Sequence, residues 1–416
     1  ASFNYNLRRQ RLGINTKLEF RPSAAHQLYL QLNYNEFHDD EDRQSAAYEF
    51  ARGTLTNATA TGGNWSAGRS TREFRDYKQN HLIDAYSIGG KHSLDRGFEL
   101  EWKAGISTGE RETPRRVDWE FRSADNLSNS FRLGGDIPII TPTAAYYNPA
   151  RYPFRRVRHR KDDEREDIYS LQVDLRRSQQ FGPKSGFLKV GAKLFNSQKH
   201  QDRTNTNYNL AAGAANLFTL AEPGLTAAEP STFAEGRYRL GPVIDITNMY
   251  KYFQNNPGKF VFDSATTQSN SRDADFDAEE EVTSAYAMAS VDLNRQATLV
   301  AGLRVERSDA EYSALERRNG VYGLIGVPKN YTQVLPGLHF VYRPTNRLVF
   351  RAAWTNTYGR APYTALAPRN VLDDIDLGGG VFQGSLSSGN PQAKPFESMN
   401  FDVGMEYYLK NAGVLS

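Results

Sequence analysis

Residues 151–167 form a charged segment in which basic residues precede acidic ones. Its first half contains arginines and its second half carboxylates: Arg151, Arg155, Arg156, Arg158 and Arg160, then Asp162, Asp163, Glu164, Glu166 and Asp167. A guanidinium group presents a planar fork of donors that matches a carboxylate or a phosphate. The segment therefore suits an anionic ligand, and the alternative is a solvated loop whose charges neutralise one another.

Aromatic side chains in the long polar segments offer a second kind of ligand contact. A tyrosine ring has apolar faces and a polar tip, so it can stack on a sugar ring or on an aromatic chelator. Together with the arginines they give one candidate ligand-binding set: Tyr146, Tyr147, Tyr152, Arg155, Arg156, Arg158, Tyr238, Tyr250, Tyr252 and Phe253. Ordinary packing within the loops is the alternative for the aromatic members.

The sequence contains no motif that indicates catalysis. Residues 64–68 lack the first glycine of a nucleophile elbow, and the glycines at 378–380 are not followed by the Lys-Ser/Thr pair of a phosphate-binding loop. Paired carboxylates lie in loops without an apolar neighbourhood that would separate their proton affinities. We therefore expect no enzymatic activity and no catalytic residue.

Metal sites are not expected either. The seven histidines show no His-Glu-x-x-His spacing for zinc. Alternate aspartates from Asp273 imitate the start of a calcium-binding loop, but Ala278 and Ser284 stand where that loop needs Gly and Glu. The acidic residues of 38–42 point apart on an extended chain, so a solvated tip is the simpler interpretation. The sequence predicts no metal and no cofactor.

Composition excludes several classes of protein. The chain has 51 Lys and Arg residues against 48 Asp and Glu, a net charge of +3, so no basic excess favours nucleic acid. The absence of Cys removes disulfides, thiolate zinc sites and iron–sulfur clusters. Mean hydropathy is −0.65, and no apolar run approaches the ~20 residues of a membrane-spanning helix. The 23 Tyr and 23 Phe argue against disorder.

The elements that would position the candidate residues are strands. Side chains of a strand point alternately to its two faces. Several segments alternate in this way between an uncharged and a polar face: 26–35, 98–107, 169–176 and 400–409. Aromatic residues near strand ends fit the interfacial girdles of a membrane β-barrel: Phe20, Tyr34, Tyr342, Trp354 and Tyr407.

Short and long connections alternate between these strands. The short turns lie at 21–25, 95–97, 178–185, 293–296 and 343–346, and the long polar segments at about 39–77, 114–165, 203–278, 313–328 and 359–397. A compact soluble domain rarely holds several loops longer than ~15 residues, whereas an outer-membrane barrel has short periplasmic turns and long outer loops. The pattern predicts an all-β fold, an antiparallel meander that forms part of a transmembrane β-barrel. A soluble sandwich or propeller is the alternative.

Seven segments, taken in order, resemble the β-barrel of TonB-dependent outer-membrane receptors, especially those common in Caulobacter- and Xanthomonas-type bacteria. They are 82–102 (with SIGGKHSL at 87–94), 187–193 (FLKVGAK), 281–286 (EVTSAY), 301–306 (AGLRVE), 335–338 (LPGL), 360–363 (RAPY) and 389–395 (GNPQAKP). Ala361 separates an Arg and a Pro that are usually adjacent in the family.

The resemblance implies a 22-stranded barrel, of which this chain would supply about 11–12 strands. We therefore expect residues 1–416 to be a partial receptor barrel domain, an internal piece of a longer protein that lacks the plug domain and the last strands. The long polar segments would be its extracellular loops.

The same resemblance implies a location and a function. The protein would lie in the cell outer membrane and import a scarce solute, such as a siderophore or an oligosaccharide, energised by the TonB complex through the missing N-terminal part. Its other partners would be the lipid bilayer and lipopolysaccharide, whose phosphates the 151–167 arginines could also bind, and not nucleic acid. A passive porin and a soluble β-rich carbohydrate-active protein are the alternatives.

Overall fold

The computed structural model describes residues 2–49, 52–135, 138–230, 239–376, 382–409 and 413–415, and most of them lie in strands. In chain order the strands are β1 (Ser2–Ser23), β2 (His26–Glu49), β3 (Thr54–Thr59), β4 (Gly62–Leu94), β5 (Phe98–Arg122), β6 (Leu127–Arg132), β7 (Ile139–Pro142), β8 (Phe154–Phe181), β9 (Lys184–Leu210), β10 (Thr226–Ala227), β11 (Val243–Ile244), β12 (Phe260–Phe262), β13 (Phe276–Asp292), β14 (Ala297–Arg318), β15 (Val321–Thr345), β16 (Leu348–Gly359), β17 (Val371–Asp376), β18 (Phe382–Ser387), β19 (Phe396–Tyr408) and β20 (Val414–Leu415).

The long strands form one antiparallel meander. Their order across the sheet is β1, β2, β4, β5, β8, β9, β13, β14, β15, β16 and β19, and every neighbouring pair is antiparallel. The short β20 begins a twelfth position beside β19. The prediction of an all-β antiparallel meander of 11–12 strands is confirmed within the described residues.

Every short turn that the sequence indicated joins two long strands at the same end of the sheet. The turns occupy 24–25, 95–97, 182–183, 293–296 and 346–347. Gly182 has φ of +64°, a left-handed conformation that a residue without Cβ adopts at little cost. These tight turns fix the register of the strand pairs that they join.

At the opposite end, the strands continue into segments that the sequence indicated as loops. β2 and β4 extend until only residues 50–61 separate them, and β5 and β8 leave only 123–153. β9 and β13 shorten the next connection to 211–275. Residues 313–328 form no loop, because β14 and β15 pair over this whole stretch and turn at Asn319 and Gly320.

These strand extensions escaped the alternation pattern because both of their faces are polar. Cross-strand ion pairs stabilise them, as between Arg43 and Glu73 at 2.7 Å and between Lys78 and Asp40 at 3.0 Å. The backbone hydrogen bonds between two strands do not depend on side-chain polarity. A pair of strands with two polar faces therefore resembles a loop in its sequence.

The main sheet has two unlike faces, which we call the apolar face and the charged face. On the apolar face one cross-strand row consists of Leu30, Ile88, Ala104, Leu171 and Leu194. On the charged face a neighbouring row consists of Lys103, Gln172, Lys193, Ser284 and Glu306. Large side chains of the apolar face are exposed, for example Ile88 at 50%, whereas Asp174 and Ser284 of the charged face are buried.

A bulge in β5 changes which of its residues face each side. Thr113 pairs with Asp162 and Arg116 with Arg160, so β5 has two residues where β8 has one. Before the bulge the odd-numbered residues of β5 lie on the charged face, and after it the even-numbered ones do. Pro114 lies in the bulge, where its missing N–H interrupts no ladder.

Three helices lie in the long connections: α1 (Ile246–Asn255), α2 (Ser264–Arg272) and α3 (Tyr363–Leu366). Asp245 caps α1 by accepting a hydrogen bond from the Asn248 N–H at 2.9 Å, and Asp263 caps α2 through the Thr266 N–H at 2.9 Å. In the part of the chain that the structure describes, no helix has the length and apolar composition to cross a membrane.

Candidate functional site

An aromatic cap packs against the apolar face where the strands run far beyond the short turns. Phe74, Trp119, Val157 and Tyr208 form a cross-strand row that supports it. The connections 123–153 and 211–275 supply most of the rest. The buried members of this aromatic cap are Phe74, Val117, Trp119, Phe121, Leu127, Tyr146, Tyr152, Phe154, Val157, Phe218, Leu220, Leu225, Ile244 and Met249.

A buried arginine joins the cap to the sheet. Arg72 of β4 is 1% exposed. Its Nη1 donates to the Tyr146 hydroxyl at 2.8 Å and to the Leu240 carbonyl at 2.7 Å, and its Nη2 donates to the Tyr152 hydroxyl at 3.1 Å. The guanidinium carbon also lies 4.0 Å from the centre of the Tyr146 ring. Arg72 therefore ties both connections to one strand.

The structure places most of the candidate aromatic residues in this cap. Tyr146 and Tyr152 are 2% and 0% exposed, so in this arrangement they present almost no surface to a ligand. Tyr147, Tyr250, Tyr252 and Phe253 are partly buried and pack around the same core. Tyr238 lies outside the described residues. Ligand binding by these aromatic residues remains a prediction.

The candidate arginines fall on different surroundings. Arg155 is exposed. The Nε of Arg156 donates to Glu120 at 2.7 Å, which neutralises its charge. Arg158 lies on the charged face and donates to Asp118 at 3.0 Å. Of the three, Arg158 is the one that joins a larger group of arginines.

That group, which we call the arginine row, crosses four strands of the charged face. Arg43, Arg75, Asp118 and Arg158 are successive cross-strand partners on β2, β4, β5 and β8. Asp118 also accepts a hydrogen bond from the Nε of Arg116 at 2.9 Å, and we include that residue. The Nε of Arg75 donates to the same carboxylate at 2.7 Å.

The arginine row changes the proton affinity of its one carboxylate. Burial alone would raise the pKa of Asp118, which is 4% exposed. The positive charges of Arg116, Arg75 and Arg158 outweigh burial and lower this pKa to about 2. Asp118 is therefore ionised at neutral pH and is shared by three guanidinium groups.

A second polar centre lies further along the charged face, where the connection after β16 folds back. Glu280 of β13 is 2% exposed. It pairs with the Nε of Arg360 at 2.7 Å and accepts hydrogen bonds from the hydroxyls of Tyr363 at 3.2 Å and Tyr331 at 3.3 Å. Burial is the main reason that the pKa of Tyr363 rises to about 12, so its hydroxyl keeps its proton.

Residues 360–370, which we call the strap, are held on the charged face by this centre. Leu366 and Ala367 pack on Phe276 and Ala278 of β13, and the four side chains are buried. Within the strap, α3 supplies one helical turn. The strap therefore lies on the opposite face of the main sheet from the aromatic cap.

Sequence reasoning missed Arg43, Arg75, Arg72, Glu280 and the strap. Arg43 and Arg75 are 32 positions apart in the sequence and become neighbours only through the β2–β4 register. The RAPY segment at 360–363 was noted for its resemblance to a family motif, but nothing in the sequence paired it with Glu280. Among the described residues there is no group of three or more His, Cys, Asp or Glu placed to hold a metal ion.

The family of the chain follows from a match over most of its length. Residues 108–416 match the family model described as "TonB dependent receptor-like, beta-barrel". The chain belongs to the TonB-dependent receptor β-barrel family. Its members are transport proteins of the outer membrane. The resemblance expected from the sequence is thereby confirmed.

Several solved structures are similar to the chain at low sequence identity. They include the ferric-catecholate import receptor Fiu from E. coli K12 (TM-score 0.41, 11% identity, 99% of this chain and 55% of that chain), the siderophore receptor PiuA from Acinetobacter baumannii (0.36, 11%, 99% and 55%) and the ferric yersiniabactin uptake receptor FyuA from Yersinia pestis (0.32, 9%, 92% and 50%). The chain spans about half the length of these structures. No curated protein matches its sequence.

Proposed function

We propose that the chain is part of an outer-membrane receptor that imports a scarce solute, such as a siderophore or an oligosaccharide, with energy supplied through TonB. The observation that carries this proposal is the division of one continuous sheet into an exposed apolar face and a charged face. Family membership over residues 108–416 gives the proposal its transport class.

The apolar face is the surface that would meet the lipid bilayer. Its side chains near the short turns are exposed although they are large and apolar, including Leu171, Leu194 and Leu303 at 43–48%. Exposed apolar side chains of this kind form the outward band of a membrane barrel, where polar lumen residues alternate with them. The short turns would then lie in the periplasm, and the aromatic cap outside the cell.

The charged face would line the solute pathway. Its side chains are held by cross-strand ion pairs, such as Lys91 with Glu101 at 2.8 Å and Arg176 with Glu99 at 2.9 Å. A water-filled lumen tolerates such pairs because water solvates the part of each charged group that its ion-pair partner does not contact. Solute contacts would come from the part of this face that lies far from the short turns, near the arginine row and the strap.

Uptake by cells tests the proposed function. The full-length protein should be produced in cells that lack their own siderophore receptors, with and without a working TonB, and supplied with radioactive iron chelates or labelled oligosaccharides. We expect saturable uptake of one solute class that disappears when TonB is absent.

The passive porin and the soluble protein give different results in the same experiment. A porin would support uptake that is linear in solute concentration and unaffected by the loss of TonB. A soluble protein would be recovered outside the outer-membrane fraction. Either result would reject the proposal.

A further inference from the structure

The arginine row contains contacts that folding alone would avoid. Arg43 and Arg75 are direct cross-strand partners, and so are Arg116 and Arg160 one row further on. Like charges placed directly opposite each other in a sheet are destabilising. Arg75 and Arg116 share Asp118, while Arg43 pairs with Glu73 and Arg160 with Asp162. Each arginine therefore has a counter-charge, yet a neutral residue at Arg43 or Arg160 would still remove the repulsion between the two opposed arginines. Such a local conflict is what a functional site produces.

Positive charge exceeds negative charge in this part of the charged face. Arg43, Arg75, Arg116 and Arg158 face two carboxylates, Glu73 and Asp118. The next centre repeats the pattern, with two arginines on a single carboxylate: Arg160, Arg203 and Asp162. The surplus remains positive when three nearby residues are also counted: Glu41, which pairs in register with Tyr77, and Glu120, which lies opposite Glu73, together with its ion-pair partner Arg156.

Some donors of the row also lack partners. The Nε atoms of Arg43 and Arg158 are buried and have no hydrogen-bond partner among the described residues. The side chains as a whole are not sealed off, since those of Arg75, Arg116 and Arg158 keep 19%, 18% and 30% of their surface exposed. Each guanidinium can therefore still offer hydrogen bonds on its open side.

We propose that Arg43, Arg75, Arg116 and Arg158 form a binding subsite for the oxygen anions of a polyanionic solute. The proposal rests on the proposed function, because it assigns the charged face to the solute pathway. Asp118 holds three of the guanidinium groups in place and leaves them with a net positive charge. A solute that carries carboxylate, phosphate or catecholate oxygens completes that charge balance.

The geometry favours an anion with several charges over a neutral solute. Guanidinium groups bind oxygen anions through charge-assisted hydrogen bonds, which are about twice as strong as neutral ones. A neutral solute lacks the additional attraction between opposite charges and still has to replace the water on the arginines. The subsite therefore discriminates by charge, while the rest of the pathway decides size and shape.

Two iron chelates of different charge test the subsite on the purified full-length protein in detergent. The probes are a ferric tripodal catecholate, which carries three negative charges, and a ferric tripodal hydroxamate, which is neutral. Binding is measured by isothermal titration at low and at moderate salt. We expect the wild-type protein to bind the trianion at least tenfold more tightly, with an affinity that falls as salt rises.

Two substitutions should act in opposite directions. Arg158→Ala removes one donor and should weaken trianion binding about tenfold, the loss of one charged hydrogen bond, while Arg158→Lys keeps the charge and should recover part of it. Asp118→Asn removes the internal counter-charge and should strengthen trianion binding severalfold. Neither change should alter binding of the neutral chelate.

A matched control lies on the other face of the same strand. Arg165 of β8 is 55% exposed and pairs with Asp167 at 2.8 Å and Glu110 at 2.6 Å, away from the arginine row. Arg165→Ala should leave the affinity for both chelates unchanged. Heat-dependent mobility in gel electrophoresis checks that every variant keeps its folded barrel.

The outcomes separate the subsite from the transport proposal. The subsite is rejected if wild type binds neither chelate or does not prefer the trianion, if Arg158→Ala weakens both chelates equally, or if Asp118→Asn fails to strengthen the trianion in a folded protein. TonB-dependent uptake of a neutral solute alongside any of these results would leave the transport proposal standing. Charge-dependent binding without TonB-dependent uptake would support the subsite and reject transport.

Discussion

The aromatic cap and the strap are two long connections that attach to opposite faces of one sheet by different means. The cap buries a large set of apolar side chains around Trp119 and adds a few polar anchors, of which Arg72 is the most buried. The strap buries few apolar side chains, chiefly Leu366 and Ala367, and depends on the Glu280 centre. Burial of apolar surface holds the first, and charged hydrogen bonds hold the second.

This difference predicts which connection moves. Apolar burial contains no charge for ions to screen, whereas the Arg360–Glu280 pair has a partly exposed arginine and is open to partial screening. Segments with few buried apolar contacts open at lower free energy than packed ones. The strap, which lies on the face that would line the solute pathway, is therefore expected to open more readily than the cap.

The largest expected effect is in the cap. Trp119 is fully buried against Phe154, Tyr250 and Phe253. Trp119→Ala should lower the local stability of the cap by about 4 kcal/mol because it leaves a large cavity. Hydrogen exchange of the full-length protein should show a loss of protection in 143–152 and 246–255 and no loss of protection in 360–370. Trp119→Phe should cause a smaller loss of protection in the same two segments. Equal loss in both connections would mean that they are not independent.

The next largest effect is in the strap. Glu280→Gln keeps the size of the side chain but removes the buried charge that Arg360 pairs with, so the strap should lose about 3 kcal/mol of local stability. Exchange protection in 360–370 is the measurement, repeated at low and at high salt. Salt should weaken the wild-type strap and have little effect on the variant. A salt response of the cap as large as that of the strap would remove the contrast between the two.

Acid should act on the arginine row and not on Arg72, the most buried anchor of the cap. The folded-state pKa of Asp118, about 2, lies below its usual value of 3.8, so its stabilising contribution is complete above about pH 4. That contribution, about 2 kcal/mol, is lost as pH falls from 4 through 2. In urea unfolding, Asp118→Asn should be less stable than wild type at pH 6 and equal to it at pH 2. A difference that persists at pH 2 would place its cause outside ionisation.

The smallest effect is expected from one hydroxyl group. Tyr363→Phe removes the donor that reaches Glu280 at 3.2 Å, while Arg360 still satisfies that carboxylate, so the strap should lose about 1 kcal/mol. Exchange in 360–370 can resolve this change. Tyr147→Phe, a partly buried residue of the cap, serves as the comparison and should leave the strap unaffected.

The strands near the short turns were predictable because one face is apolar there. Leu171 and Val173 alternate with polar neighbours, and the turn at Gly182 closes the pair of strands. The parts of the strands far from the short turns were not predictable. In β2 after residue 37, for example, both faces are polar, so no alternation of apolar and polar residues indicates a strand. The cap helix α1 did leave a trace: Asp245 precedes it, and Met249 and Phe253 are four residues apart.

The candidate site was only partly readable for a related reason. The sequence identified the arginine-rich segment and Arg158 within it, because a run of like charges is visible along the chain. It missed Arg43 and Arg75, because cross-strand neighbours depend on register, and register depends on turns and bulges distant from either residue. It also offered Tyr146 and Tyr152 as ligand contacts with ordinary packing as the alternative, since the sequence does not indicate whether a tyrosine in a long connection is buried.

The bulge in β5 reverses which of its residues face each side of the sheet. Before Pro114 the odd-numbered side chains lie on the charged face, and after it the even-numbered ones do, so Asp118 joins the arginine row and Trp119 joins the cap. Deleting a single residue at 114 or 115 would shift the phase and exchange the two destinations, so that a carboxylate would enter the aromatic core and an indole would face the arginines. The single extra residue of the bulge thus sets the side-chain orientation for both the arginine row and the aromatic cap. A change in the length of β5 at this point would therefore alter both regions together.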